Sequence, residues 1–471
     1  MIRGDRLISR REALVAGGAA ALAANGLPAW ARTFASAATS VRKPDSLPFP
    51  HLPAGTPSMP KIDHIVVLMM ENHSFDNLLG AVPWRVKGRE LIDGFTRKHG
   101  QIVNFNRDAS GRKIHAQSAV SPCQLDGVPS QAWNASHESY DHGRNEGFVR
   151  ASGPIAMRYW DDADLPFTYS LAKHFPLGQR YFCSVLAQTY PNRRFLFTGT
   201  ASGTIATDKT TFHIRAANGS IFDRLEAQGI SYGVYSETSA ASWLILPNVL
   251  SNPTLLHHQH TIAQFYADTA AGRLPKFTFL DPNYTTTSEE NPQDIQVGEE
   301  FIGEVVHALM TSPQWKNTAL FITYDEHGGY YDHVPPPRAI KPDNIAPVLA
   351  PGDVPGAYDR YGFRVPMIVV SPWARAGYVS NVVQDHTSML AFIERKWNLP
   401  AMTFRDANAA PMTDYFDFKH AAFMKPPALK RAPGLAAGLR QCHAAGLNPP
   451  LPTAPNTASD ISRSLAGAVR R

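Results

Sequence analysis

Two short runs of oxygen-bearing side chains set the chemistry open to this chain: Glu71-Asn72-His73-Ser74-Phe75-Asp76 and Asp325-Glu326-His327-Gly328-Gly329-Tyr330-Tyr331-Asp332-His333. Carboxylate and amide oxygens at Glu71, Asn72, Asp325 and Glu326 suit a hard divalent cation, whereas thiolates or an all-histidine set would indicate zinc or copper. Brought to one edge, these acidic and amide groups would repel one another without a cation. Two unrelated solvated turns are the competing reading, and Gly328-Gly329 adds only that the backbone can turn sharply or approach closely there. A third run, Gln188-Thr189-Tyr190-Pro191-Asn192-Arg193, places a hydroxyl where Pro191 and the following aromatic stretch predict a helix start. Free amides and the positive end of the helix dipole favour a phosphoryl group at such a place, and a threonine there suits either a nucleophile or a plain helix cap.

The elements that must position these groups follow from hydrophobic patterning. Ile65–Met70 is a continuous apolar run, as expected of a strand buried on both faces, and Glu71 follows its last residue. Further strands are expected at Ile230–Tyr235, Phe277–Leu280 (stopped by Asp281-Pro282), Ala319–Tyr324 and Val365–Val370. Helices are expected after Ser220, over Gly298–Thr311 and from about Thr387 to Trp397 with Asp385 near its start. This alternation predicts an α/β fold with a largely parallel central sheet and helices on both faces. Ligands in such sheets bind outside the carboxyl ends of the strands, where both acidic runs fall. Two long irregular stretches, Phe95–Glu146 and the Pro-rich Val334–Tyr361, have the length of functional lids or walls.

Composition narrows the class. The 471 residues carry a formal net charge of +5, and the first 31 contain four Arg against one Asp and one Glu, which leaves about +3 on the remainder. That excess, with no basic run interleaved with aromatics, gives no support to a nucleic-acid partner. Ser9-Arg10-Arg11 before the mild apolar run Ala13–Ala24 resembles a twin-arginine leader, with small-residue cleavage sites at Ala29-Trp30-Ala31 and Ala35-Ser36-Ala37. Export of the folded protein by the twin-arginine (Tat) machinery is therefore expected, to a periplasmic, cell-envelope or secreted location. The expected organisation is a leader over 1–37, a spacer over 38–60, a catalytic domain over 61–420 and a Pro/Ala-rich tail over 421–471. Cys123, Cys183 and Cys442 are too few and too widely spaced for a disulfide framework or a thiolate zinc site, and Cys183 lies in an apolar stretch that suits a small packing residue.

The three runs, in this order, resemble the signature blocks of the phosphoesterase family of bacterial phospholipases C, plant non-specific phospholipases C and related acid phosphatases. The resemblance spans about Lys61–Phe418 and takes in the stretches from His137 to Phe148, Tyr181–Val185, Ser312-Pro313 with Trp315, and Asp385–Ser388. It implies an alkaline-phosphatase-like core and a divalent metal cation held by Glu71, Asn72, Thr189, Asp325 and Glu326. It further implies Thr189 as the nucleophile of a covalent phospho-threonine mechanism. His137, His327 and His333 would donate to phosphate or protonate the leaving group, and Asn192, Asn291, Asp332 and His386 are further candidates for phosphate contact. In one place the chain departs from the family: Asn291-Pro292 stands where members often carry His-Pro, and an amide cannot act as a general acid. The implied activity is a phospholipase C on a phospholipid, with peripheral membrane contact, or an acid phosphatase on a small phosphate ester. A non-catalytic exported binding protein would carry a damaged site, and none of these positions is damaged. A sulfate-ester hydrolase would normally need a Cys or Ser in a different nucleophile motif.

Overall fold

The computed structural model describes residues 41–433 apart from 125–128, 238–244, 247–252, 285 and 292. The expected leader and the end of the expected tail lie outside the described residues, as do Cys442 and Pro292.

Eight strands form the central sheet: β1 (His64–Met70), β2 (Leu177–Gly178), β3 (Tyr232–Ser236), β4 (Gln259–Thr261), β5 (Phe277–Asp281), β6 (Thr318–Tyr324), β7 (Met367–Val370) and β8 (Val379–Ser380). Their order is β4-β3-β5-β1-β6-β7-β2-β8, and only β7 runs against the rest. Every residue of β3, β5, β6 and β7 is buried, which requires cover on both faces and explains their uninterrupted apolar sequences. The helices around the sheet include α1 (Phe75–Leu79), α2 (Trp133–Tyr140), α3 (Pro166–His174), α4 (Thr189–Thr198), α5 (Ile221–Glu226), α6 (Ile262–Ala270), α7 (Ile295–Thr311) and α8 (His386–Trp397), of which α4, α5, α7 and α8 are the expected ones and α1, α2, α3 and α6 were not anticipated. α4 packs against α8 and α5, and α7 packs against α6 and α3. Ser220 caps α5 in a reciprocal capping box with Asp223, as its sequence suggests, and Asp385 does the same for α8 with Ser388.

The register fixes the site. Met70 lies opposite Tyr324 and Leu68 opposite Leu280, so the carboxyl ends of three neighbouring strands, β5, β1 and β6, terminate side by side. Asp281, Glu71 and Asp325 sit at those three ends. β7 departs from the parallel expectation because no crossover helix separates it from β6: the intervening chain, Asp325–Pro366, contains no helix or strand and returns β7 antiparallel to its neighbour.

Lys43–Pro60, expected as a spacer, is instead bound into the folded body. Asp45 N donates to Ala401 O (2.8 Å), Ser58 N to Lys396 O (2.6 Å), and the Asn398 amide beyond α8 donates to the carbonyls of Phe49, Leu52 and Pro53. Backbone bonding of this kind leaves no side-chain periodicity to detect. The first part of the expected tail is likewise packed, with Phe423 against Phe175 (4.5 Å between ring centroids) and its carbonyl accepting from Trp315 Nε1 (3.1 Å). Cys183 is a buried free thiol whose ionisation burial pushes well up, so it is a packing residue, and Cys123 is disulfide-bonded.

Candidate active site

Thr189 is the first residue of α4, preceded by Gln188 in the cap position. Its hydroxyl is not spent on the helix: Oγ1 donates to Glu71 Oε2 at 3.2 Å, which decides against the plain capping role. The turn that delivers it is fixed by Asn192, whose Oδ1 accepts from the amides of Ser184 (2.8 Å) and Val185 (3.0 Å) while Nδ2 donates to the carbonyls of Val185, Ala187 and Gln188. The expectation that Asn192 contacts phosphate is therefore corrected, since its amide is consumed in holding the loop that leads into Thr189. Pro191 costs nothing where it stands, because first-turn residues need no intrahelical donor.

The four expected ligands converge. Asp325 Oδ1 accepts from the backbone amides of Asn72 (3.2 Å) and Glu326 (2.7 Å), which ties the ends of β1 and β6 together. Asn72 holds a left-handed φ of 65°, a strained conformation for a residue with a Cβ. Its terminal amide lies 3.2 Å from Glu71 Oε2 and 2.5 Å from Glu326 Oε1. Turned one way the NH2 bonds both carboxylates, and turned the other its oxygen joins theirs as a ligand set. Gly328 has φ 64° and would drive a Cβ to 1.9 Å from Asn72 O, so the glycine is required by that close approach.

The electrostatics fit a cation. Glu71, Asp325 and Glu326 are all buried, with Asp281 beside them, and among the described residues the Arg193 guanidinium lies between Glu71, Asp281 and Asp325. Burial first and Asp325 second push the Glu71 and Glu326 carboxyls well above their usual range. Glu290, which sequence reasoning missed, is raised to about 7 by burial and then by Asp325. A divalent ion would relieve this excess of negative charge, and the all-oxygen donor set suits a hard one.

Arg193 was also missed. It stands four residues after Thr189 on the same face of α4, so both side chains reach Glu71, the hydroxyl at Oε2 and the guanidinium at Oε1 (2.8 Å). The signal available in the sequence was that spacing alone.

The histidines separate. His327 is buried, its Nδ1 lies 3.2 Å from Glu326 Oε2, and its Nε2 has no hydrogen-bond partner among the described residues. Burial pushes it down to about 3, so the ring is neutral and presents an open lone pair beside the ligand set. His386 is spoken for on both nitrogens, Nε2 donating to Asp325 O (2.7 Å) and Nδ1 accepting from Tyr181 OH (3.0 Å), so it orients the Asp325 backbone and does not face phosphate. His137 bonds Trp133 O through Nδ1 (2.7 Å), and its Nε2 abuts Gly356 of the Pro-rich insertion. It makes no hydrogen bond to Thr189 or to the four ligands. Asn291 anchors its NH2 on Tyr330 OH (2.6 Å) and leaves a buried Oδ1 with no partner among the described residues, so the atom it leaves open is an acceptor, which does not suit the phosphate contact expected of it.

His333 and Asp332 belong to a second cluster. Asp76, Asp332 and His333 bring ligand atoms within 4.8 Å of one another, the spacing of a metal site. The donors are already taken: Arg364 binds Asp76 Oδ1 (3.0 Å) and Asp332 Oδ1 (2.8 Å), and the His333 ring bonds Asp76 through Nδ1 (2.7 Å) and Asp93 through Nε2 (3.0 Å). A guanidinium and an imidazolium supply the positive charge there. Neither His333 nor Asp332 is therefore free to act on phosphate. Despite its burial, His333 is raised to about 10 from 6.5, chiefly by Asp76. The folded state thus binds the extra proton, and the stability this pair contributes is present below about pH 6.5 and lost as pH rises through about 10. Denaturant unfolding across that window should show wild-type stability falling more steeply than that of His333→Gln, and parallel curves would refute the charged ring.

The insertion Val334–Tyr361 closes on itself at its base, where Arg360 Nη1 donates to Pro336 O (2.7 Å) and Ala339 N to Asp359 O (2.8 Å). Trp133 Nε1 holds it through Val354 O (2.8 Å), and Tyr358 packs edge-on to Phe195 of α4. Trp133 and Trp160 are 1% exposed, so neither offers an aromatic surface to substrate. The insertion instead exposes aliphatic side chains: Ile340, Ile345, Val348, Leu349 and Val354, with Val348 at 68%.

The model of the Phosphoesterase family matches residues 62–400. Non-specific phospholipase C1 of Arabidopsis thaliana is 31% identical over 384 residues, covering 75% of this chain and 71% of its own length. Phospholipase C A of Mycobacterium tuberculosis is 28% identical over 413 residues, covering 76% of this chain and 77% of its own. Among solved structures, a protein in the alkaline phosphatase superfamily from Vibrio parahaemolyticus is similar over 77% of this chain and 72% of its own, at 9% identity and a TM-score of 0.38.

Proposed function

Because this chain belongs to the phosphoesterase family and is a phosphoric-ester hydrolase, we propose that it is a phospholipase C, which cleaves phospholipids to diacylglycerol and a phosphorylated head group. The observation that carries the mechanism is the Thr189 hydroxyl, freed from helix capping and bonded to Glu71 at the junction of the buried carboxylates. A divalent cation held by Glu71, Asn72, Asp325 and Glu326 would lower the pKa of that hydroxyl and offset charge on the phosphoryl oxygens. Glu71 Oε2 accepts the hydroxyl hydrogen bond and orients Oγ1 for attack on phosphorus. The phosphorus–oxygen bond to diacylglycerol breaks as the Oγ1–phosphorus bond forms, the hydroxyl proton ending on the departing glycerol oxygen, and water then cleaves the Oγ1–phosphorus bond, releasing the phosphorylated head group and returning a proton to Oγ1. The neutral His327, with its open Nε2, is the histidine available to accept a proton from that water.

A preference for lipid over a small phosphate ester is supported by the exposed aliphatic side chains of the insertion, which packs through Tyr358 on Phe195 of α4, the helix that Thr189 begins. Turnover of a long-chain phosphatidylcholine, compared with that of a small phosphomonoester, tests the assignment, and activity confined to the monoester would make this an acid phosphatase. Shortening the insertion between Lys341 and Pro355 should reduce lipid hydrolysis about tenfold or more relative to a soluble diester, since several exposed aliphatic groups at roughly 1 kcal/mol or more each would be lost from contact with the acyl chains. Equal losses on both substrates would show that the segment only supports the fold.

A further inference from the structure

The Arg193 guanidinium is surrounded by oxygen. Nη2 lies 2.8 Å from Glu71 Oε1, Nη1 3.1 Å from Asp281 Oδ1 and Nε 3.3 Å from Asp325 Oδ2. Nη2 also faces the carbonyls of Met69 and Met70 at 3.3 and 3.4 Å. Arg193 and all three carboxylates are 0–1% exposed, and the Tyr284 ring lies 5.2 Å from the guanidinium carbon. Three carboxylates and two carbonyls are the donor set of a hard cation, gathered at the ends of three adjacent strands. Glu71 and Asp325 each spend one oxygen on the guanidinium and keep the other apart from it, Glu71 Oε2 accepting from Thr189 Oγ1 and Asp325 Oδ1 from the backbone amide of Asn72.

We propose that Arg193 occupies a second cation position, so that the centre takes one divalent ion and the guanidinium serves as the fixed other charge. Arginine suits this because its charge is permanent and its planar fork meets several carboxylates at once, where an ammonium would be a single point. It makes Arg193 a positioning residue, holding the Glu71 and Asp325 carboxyl groups in place whether or not the ion is bound. The spacing of Thr189 and Arg193 then couples the nucleophile and this charge through one carboxylate on one helix face.

The inference rests on Glu71 and Asp325 being cation ligands, and stoichiometry separates the two claims. The probe is manganese(II), counted by equilibrium dialysis and examined by electron paramagnetic resonance on the full chain. The wild type and Arg193→Lys should bind one isolated ion. Arg193→Ala should bind two, with the broadened spectrum of a spin-coupled pair, and added guanidinium ion should displace the second. The double variant Arg193→Ala/Asp281→Asn should return to one. A wild type that binds no manganese would overturn the ligand assignment itself. One isolated ion in both wild type and Arg193→Ala would overturn only the second position. If Arg193→Ala is unfolded without metal, manganese must fold it at two ions per chain, and failure to do so also counts against the inference.

Discussion

Thr189→Ala is expected to lower turnover by about a thousandfold or more, the scale on which loss of a covalent nucleophile falls in other hydrolases, while the protein stays folded. The two effects separate because of where the hydroxyl points. Thr189 begins α4 but does not cap it, and its side chain makes one hydrogen bond, 3.2 Å to Glu71 Oε2. Removing that bond should cost about 1 kcal/mol of stability. The turn itself remains clamped by Asn192 on the backbone of Ser184–Gln188. Circular dichroism and thermal unfolding should therefore be close to wild type while product formation is lost. A Thr189→Ala enzyme that keeps more than a few per cent of its activity would exclude the threonine as nucleophile.

The second large effect is expected from Glu71→Gln and Asp325→Asn, each of which should lose divalent cation and activity together. Either change replaces an anionic oxygen donor with a neutral amide and leaves the buried Arg193 short of one of its three carboxylates. Cation affinity should fall by well over tenfold, since changes outside a metal's immediate ligands already reach about that size. Loss of a partner from a buried ion pair is also destabilising, by about 3–5 kcal/mol, so both variants should melt earlier than wild type. Metal content measured beside kcat decides the matter: full occupancy with full activity in either variant would break the ligand set.

The strand ends were legible because β1, β5 and β6 are buried on both faces and so are written as continuous apolar runs, with polar residues beginning at the sheet edge. β2, β4 and β8 were not, being two or three residues long, too short for a hydrophobic pattern to show. Glu71, Asn72, Asp325 and Glu326 could be found from residue type and position. Arg193 could not, because an arginine in an aromatic helix looks like a surface charge until register brings Asp281, Glu71 and Asp325 together around it. Asp281 looked like a strand terminator, yet it is the third carboxylate. His333 looked like a proton donor because its partners, Asp76 and Asp93, are more than two hundred residues away in sequence. For Trp133 and Trp160 the sequence gives size but not direction, and both are buried in the interior.

The central claim is that Thr189 forms a bond to phosphorus at a cation-dependent centre. Acid quenching during turnover of a phosphatidylcholine, followed by peptide mass spectrometry, tests it directly. A phosphocholine adduct on Thr189, present with divalent cation and absent after chelation or in Thr189→Ala, is the result expected. Sustained turnover in which no adduct forms on Thr189, even under conditions that slow its hydrolysis, or an adduct on another residue, would contradict the account.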